Sequence, residues 1–215
     1  MSAVPVIAID GTAASGKGTI ARALAAKFGF DHLDTGALYR TVGALVLRAG
    51  GNPSSREDAM AVIPHFWSAN VPEAELRSAA VGDAASQVAV IAEVRSALFD
   101  LQTAFAKTPP GGRGAVIDGR DIGTVICPDA PVKIFVTASV EERARRRWRE
   151  LTAHGSAKTY ETLLEEIRVR DARDGGRTAA PMRQAADAVM LDTTDLTIPE
   201  AVAAAEKTAR AALGI

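Results

Sequence analysis

Val6-Ile7-Ala8-Ile9-Asp10-Gly11-Thr12-Ala13-Ala14-Ser15-Gly16-Lys17-Gly18-Thr19 reads as a buried strand that runs into a glycine-rich turn and then into a helix. The helix carries Ile20, Ala21, Leu24, Ala25 and Phe28 at helical spacing. Such a turn aims several backbone N–H groups and a helix N-terminus at one spot, and Lys17 adds a mobile positive charge there. That spot suits a polyphosphate. The pattern follows G-x-x-x-x-G-K-[ST], except that Gly18 stands where the magnesium-binding hydroxyl is expected and Thr19 comes one place late. A purely structural tight turn would leave Lys17 without a job. A dinucleotide-binding turn is the weaker reading, since Gly11, Gly16 and Gly18 do not form G-x-G-x-x-G.

Bulk properties narrow the field. A chain of 215 residues can bury a full core as one domain with insertions. Its 25 Lys and Arg against 26 Asp and Glu, with 5% aromatics, argue against a nucleic-acid partner. The single cysteine, Cys127, rules out an intramolecular disulfide and reads as a small buried side chain. The first apolar run stops at Asp10 and lacks a basic lead, and no run approaches the ~20 residues that span a bilayer. The expectation is a cytoplasmic protein with no membrane partner, and nothing demands more than a monomer.

Val4–Asp10, Ala115–Asp118, Val132–Thr137 and Ala188–Leu191 are short apolar runs between helical patterns. They predict an α/β fold with a central parallel sheet, its strands buried on both faces by flanking helices. A last helix begins at Ile198, where Thr197 and Glu200 form a capping box and Pro199 sits in the first turn. The rhythm is interrupted between Gly50-Gly51-Asn52-Pro53 and Pro109-Pro110-Gly111-Gly112, where amphipathic helices are expected, one carrying Val88, Ile91, Val94, Leu98 and Leu101. A second interruption is the small polar loop around Ala153–Thr159. The expected organisation is one domain over 1–215, its core at 1–50, 113–150 and 160–215, with an insertion at about 51–112 and a lid at about 151–159.

Two further groups of residues carry chemistry. Asp118 ends a strand in Val116-Ile117-Asp118-Gly119-Arg120-Asp121-Ile122-Gly123, the place for a carboxylate that holds Mg²⁺ through water; Asp10 is a weaker candidate. Capping of the turn is the alternative use of Asp118. Ten arginines and one lysine lie between Arg143 and Arg183. Arg143 and Arg147 share a helix face, and in a later helix Arg170, Arg173 and Arg177 recur every three or four residues, interleaved with Asp171 and Asp174. Guanidinium forks match phosphate oxygens, although any single one could be a solvated or helix-stapling residue. In Asp34-Thr35-Gly36-Ala37-Leu38-Tyr39-Arg40, Asp34 or Thr35 can cap a helix while Arg40 projects one turn inside it.

Together these segments resemble the bacterial cytidylate kinases, a branch of the nucleoside monophosphate kinases of the P-loop type. The resemblance rests on Ile9–Thr19, Asp34–Arg40, Ala84–Val88, Val94–Leu98, Asp118–Val125, Pro128–Phe135, Arg170–Asp174 with Arg177, and Ala186–Thr194, in the family's order along nearly the whole chain. It implies transfer of the γ-phosphoryl group of ATP to CMP or dCMP, with Mg²⁺. ATP would be bound by Gly11, Thr12, Ala13, Ala14, Ser15, Gly16, Lys17, Gly18 and Thr19, with Arg143 and Arg147. Arg40 and Arg120 would hold the acceptor phosphate, and Thr35 would be among the CMP-binding residues. Ser86, Arg95 and Asp121 would read the cytosine edge, and Arg170, Asp174 and Arg177 would contact ribose and the reacting phosphates. Lys17, Arg120, Arg170 and Arg177 would be catalytic.

One departure from the family is visible. Between Pro64 and Ala79 the chain is too short for the small antiparallel sheet usual there and offers little beyond Phe66-Trp67-Ser68-Ala69-Asn70-Val71. The nearest rival activity is a kinase on the same core with shikimate, AMP or UMP as acceptor. A GTP switch would need a guanine-reading N-K-x-D, which is lacking.

Overall fold

The computed structural model describes residues 4–153, 155 and 157–215. Five strands form one sheet: β1 (Val6–Gly11), β2 (Asp31–Asp34), β3 (Ala115–Gly119), β4 (Val132–Thr137) and β5 (Val189–Asp192). Their order is β2-β3-β1-β4-β5 and every pairing is parallel. β1 is therefore central, with β3 on one side and β4 on the other. A crevice opens above the carboxyl ends at such a divergence, and that is where α/β sheets bind ligands.

Alternation along β1 sorts the two faces. Ile7 and Ile9 pack with Ile20, Leu24 and Phe28 of α1 (Lys17–Phe28) and with Ala201, Val202 and Ala205 of α9 (Ile198–Leu213). Val6 and Ala8 face the opposite way, onto Ile117, Ile122 and Ile126. Asp10 has the parity of Val6 and Ala8, so its carboxylate enters the second layer. The capping box at Thr197 and Glu200 starts α9 as the sequence predicts.

A separate cluster joins α2 (Thr35–Arg48), α3 (Arg56–Val62), α5 (Ala79–Val88) and α6 (Ala92–Lys107), through Tyr39, Val42, Val46, Ala59, Val62, Ala85, Val88, Val94 and Leu98. α2 and α5 cross closely: a Cβ on Gly43 would lie 2.9 Å from the Ala85 amide nitrogen. Between α3 and α5 run a short 3₁₀ helix (Ile63–Ser68) and a single turn, α4 (Glu73–Leu76). The shortened stretch thus folds as helix among the described residues. α7 (Val140–Ala153) and α8 (Tyr160–Gly175) pair at the far side of the crevice, and Thr159 caps α8 by accepting from the Thr162 amide. Residues 151–153 belong to α7; His154 and Ser156 of the expected lid lie outside the described residues.

Three readings need correction, and one strand carries no sequence signal. The stripe Val88–Leu101 is two helices, because Ile91 turns extended (φ −76°, ψ 115°) and caps α6; the break preserves the i, i+3 apolar spacing, so periodicity alone does not reveal it. Arg177 lies beyond α8, which Gly175 and Gly176 terminate. β5 is an edge strand with Val189 and Met190 half exposed, not a strand buried on both faces. β2, four residues with aspartates at both ends, has no apolar run to announce it, and pairing with β3 makes it a strand.

Candidate active site

Gly11 closes β1 against β4 so tightly that a Cβ there would lie 2.0 Å from the Val136 carbonyl oxygen. The chain then turns through Ala14 (φ 58°) and Gly16 (φ 89°) into α1. Left-handed conformations are costly for a side-chain-bearing residue, so Ala14 is held there by its surroundings. Ser15 Oγ donates to the Thr12 carbonyl (3.0 Å), and the Thr12 amide donates to Val136 (3.2 Å). Thr193 Oγ1, buried after β5, lies 3.0 Å from the Ser15 carbonyl and accepts from Arg146. The loop is thus fixed by β4 and by the residue that follows β5.

Lys17 opens α1 among cations. Burial, then repulsion from Arg120 and Arg170, lowers its pKa to about 7, with Asp118 and Asp34 partly compensating. Gly18 has room: a Cβ would meet Arg22 at 3.6 Å and Asp118 Oδ2 at 3.7 Å, ordinary contacts. Glycine is not sterically required there. Asp118 is buried at the end of β3, its Oδ1 2.8 Å from His32 Nε2, so Oδ2 is the oxygen turned toward the loop. Among the described residues no cluster of three or more His, Cys, Asp or Glu could cage a metal ion. One carboxylate beside a phosphate loop fits Mg²⁺, which is usually held by one or two carboxylates, phosphates and water. Asp10 does not share this role: its oxygens accept from the amides of Ile122 (2.8 Å) and Gly123 (2.7 Å).

Across the crevice the side chains of five segments converge. Asp34 caps α2 by accepting from the Ala37 amide, and Arg40 donates back to it (2.6 Å). Burial resists ionisation of Asp34, but Arg40 and Lys17 outweigh it and keep its pKa below the usual carboxylate range. Thr35 Oγ1 donates to the Asp118 carbonyl (2.7 Å), tying α2 to β3. Arg95 of α6 pairs with Asp121, both buried, and its guanidinium lies 5.8 Å over the Tyr39 ring. Burial raises the Asp121 pKa, with Arg95 and Arg177 pulling it back. Asp174 of α8 is the hub: Arg120 Nε at 2.9 Å, Ser86 Oγ at 3.4 Å, Arg177 at 3.5 Å and Arg170 at 4.0 Å surround it. Burial opposes its charge, yet Arg120, Arg170 and Arg177 hold its pKa below normal. Burial and Arg120 lower Arg170 to about 10.

Cation and carboxylate do not fully cancel here. Arg40 Nε, Arg170 Nε and Arg177 NH2 are buried without a hydrogen-bond acceptor. A buried donor left unpaired costs about 1–3 kcal/mol, so an anionic ligand gains by supplying the acceptor. Lys17, Arg40, Ser86, Arg95, Arg120, Asp121, Arg170, Asp174 and Arg177 are therefore linked by contacts or mutual electrostatics. Arg143 and Arg147 are placed differently. Arg143 is buried behind the loop and donates to the carbonyls of Ala138 (2.8 Å) and Ala13 (3.3 Å) and to Asp171 (2.7 Å). Arg147 pairs with Glu150 on α7 (2.9 Å). His32, Thr193 and Arg146 escaped the sequence reading. They act on the loop and on Asp118 from other strands and helices, and no local pattern marks them.

A family description, Cytidylate kinase, matches residues 7–211. The chain belongs to the cytidylate kinase family. A curated cytidylate kinase of Xanthobacter autotrophicus is 57% identical over 204 residues, covering 93% of this chain and 94% of the relative. That of Paramagnetospirillum magneticum is 53% identical over 200 residues, covering 93% and 95%. Among solved structures, an uncharacterized protein of Eubacterium ventriosum superposes with a TM-score of 0.53 at 14% identity, covering 94% of this chain and 96% of its own, which is a likeness of fold. As a member of the cytidylate kinase family the chain is a nucleoside monophosphate kinase, with the α/β P-loop core that its sheet order and loop display. Among its described residues no helix is long and apolar enough to cross a membrane. Cys127 is buried, and burial with Asp10 nearby raises its thiol to about 11, which removes it from nucleophilic chemistry.

Proposed function

We propose that this chain transfers the γ-phosphoryl group of ATP to the phosphate of CMP or dCMP, yielding ADP and CDP or dCDP. The observation that supports it most is the pair of buried charge clusters, Arg95–Asp121 and the arginines about Asp174, opposite a phosphate loop in a chain of this family. Donor phosphates lie on the Gly11–Thr19 amides and Lys17. The acceptor phosphate lies on Arg40, Arg120 and Thr35's end of α2. Ser86, Arg95 and Asp121 read cytosine, whose amino group donates where uracil presents a carbonyl; a carboxylate such as Asp121 therefore favours cytosine.

An oxygen of the acceptor phosphate attacks the γ-phosphorus and the bond to the β-phosphate oxygen breaks. The attacking oxygen is already anionic, so no general base is needed and positioning with charge neutralisation carries the rate. Lys17, Arg120, Arg170 and Arg177 take up the charge that spreads over the transferring group. Asp118 is the residue to hold Mg²⁺ through water, and the metal neutralises the donor phosphates when bound. Arg143 serves ATP from behind, by bracing the loop, and Arg147 from α7. Closure of the 51–112 insertion excludes water. We assign the protein to the cytoplasm as a monomer, without nucleic-acid or membrane partners. An ADP-release assay with ATP and Mg²⁺ over CMP, dCMP, UMP, AMP and GMP tests the reading; CMP and dCMP should exceed the rest, and equal rates with AMP would overturn it.

A further inference from the structure

We infer that Asp10 is a positioning residue for acceptor selectivity, a role distinct from the phosphate loop it precedes. Asp10 is 4% exposed at the end of β1. Both its oxygens are spent on one object, the amides of Ile122 (2.8 Å) and Gly123 (2.7 Å). These residues begin a π-helical turn, Ile122–Ile126, whose first carbonyl is that of Asp121: it accepts from the amides of Val125 (2.9 Å) and Ile126 (3.2 Å). Helical turns leave their first N–H groups without partners, and a carboxylate satisfies them with favourable charge. π turns are rare and costly, and recur at functional sites.

Asp121 takes φ −146° and ψ 25°, outside the main allowed wells, at the head of this turn. Its side chain meets Arg95, and the preceding Arg120 reaches Asp174. The cap therefore fixes where Arg120 and Asp121 stand. An added Cβ on Gly123 would sit 3.4 Å from Asp10 Oδ2 and 3.2 Å from Lys133 Cδ, so the turn lies close against its anchor. Burial raises the Asp10 pKa to about 6, with the two amide bonds pulling it down, so the carboxylate is mostly ionised at neutral pH.

The inference rests on the cytidine reading, and its test separates the two. Asp10→Asn keeps size and one acceptor but sets an amide N–H₂ against one of the two amides. We expect the KM for CMP to rise about 10- to 100-fold and the CMP-over-UMP ratio of kcat/KM to fall similarly, since small displacements in a positioned site cost that much. The KM for ATP and ATP binding by calorimetry should stay within about twofold. A loss of ATP affinity equal to that of CMP would overturn the role, because Asp10 would then serve the loop. So would unchanged CMP kinetics. Should Asp10→Asn not fold, Gly123→Ala pushes the same turn with Asp10 intact and should show the same acceptor-side signature in smaller measure; unaltered selectivity there overturns the proposal. If the wild-type protein shows no preference for CMP, the cytidine reading fails; if it does and both variants keep it, only the role of Asp10 fails.

Discussion

Between Gly11 and Thr19 the site is made of backbone, contiguous in sequence and locked by an amide contact to β4 and by the Thr193 hydroxyl after β5. Across the crevice it is made of side chains from α2, α5, α6, the turn after β3, and α8 with Arg177, held by ion pairs among themselves. A backbone cradle cannot be retuned by exchanging side chains; it is either there or lost. An ion-pair network can trade partners, so substrate can replace Asp174 or Asp121 as the neighbour of an arginine. Changes that remove the loop's charge or block its backbone path should act on turnover or folding as a whole, and changes opposite it on which acceptor is used.

The sharpest way to break that contrast is Lys17→Ala. It should lower kcat about 10²–10³-fold or more with any acceptor, as loss of a preorganised charge does; a steady-state assay that finds turnover intact would mean the phosphates bind elsewhere. Gly11→Ala should cost about 3 kcal/mol or more, because its Cβ would overlap the Val136 carbonyl. The thermal midpoint should drop by about 6–12 °C by scanning calorimetry. Asp121→Asn should act differently, cutting the CMP-over-UMP ratio of kcat/KM about 10- to 100-fold, the value of a hydrogen bond to a charged group. Equal losses for both acceptors would erase the distinction between the two sides.

Protonation offers a gentler probe. Lys17, with its pKa lowered to about 7, is partly neutral in the unliganded protein at slightly alkaline pH, and a polyphosphate recharges it. Nucleotide binding at pH 8 should therefore take up protons, seen as a buffer-dependent calorimetric enthalpy that Lys17→Met abolishes. The sign for folding follows from the same shift. Between about 7 and 10.5 the unfolded chain binds more protons at this residue than the folded one, so stability from Lys17 rises with pH across that window. The smallest effect belongs to Gly18→Ser, where space is open and kcat should stay within about twofold.

The loop was legible because every feature it needs lies within one stretch: an apolar strand, two glycines at fixed spacing, a lysine and a helical period. β3 and β4 were legible as apolar runs for the same local reason. β2 was not, since Asp31-His32-Leu33-Asp34 becomes a strand only by pairing with β3. The two-helix break at Ile91 and the end of α8 before Arg177 were hidden because apolar or basic spacing continues across them. Asp10 fits the pattern of a metal residue, a carboxylate at a strand's end, but its true partners lie more than a hundred positions away.

That a polyphosphate-binding loop opens a parallel α/β core is readable along the chain, because strand, turn and helix signals are written by neighbours. The Gly18 variant and the run of family segments pointed to a monophosphate kinase, where a glycine replaces a metal-binding hydroxyl. Which charges face one another is set by the packed chain and not by spacing along it. Packing gathers Arg95 with Asp121, four side chains about Asp174 and His32 with Asp118, and it turns Arg143 to the back of the loop. Those pairings depend on the sheet order and on the close crossing of α2 with α5, which join residues by burial and not by spacing.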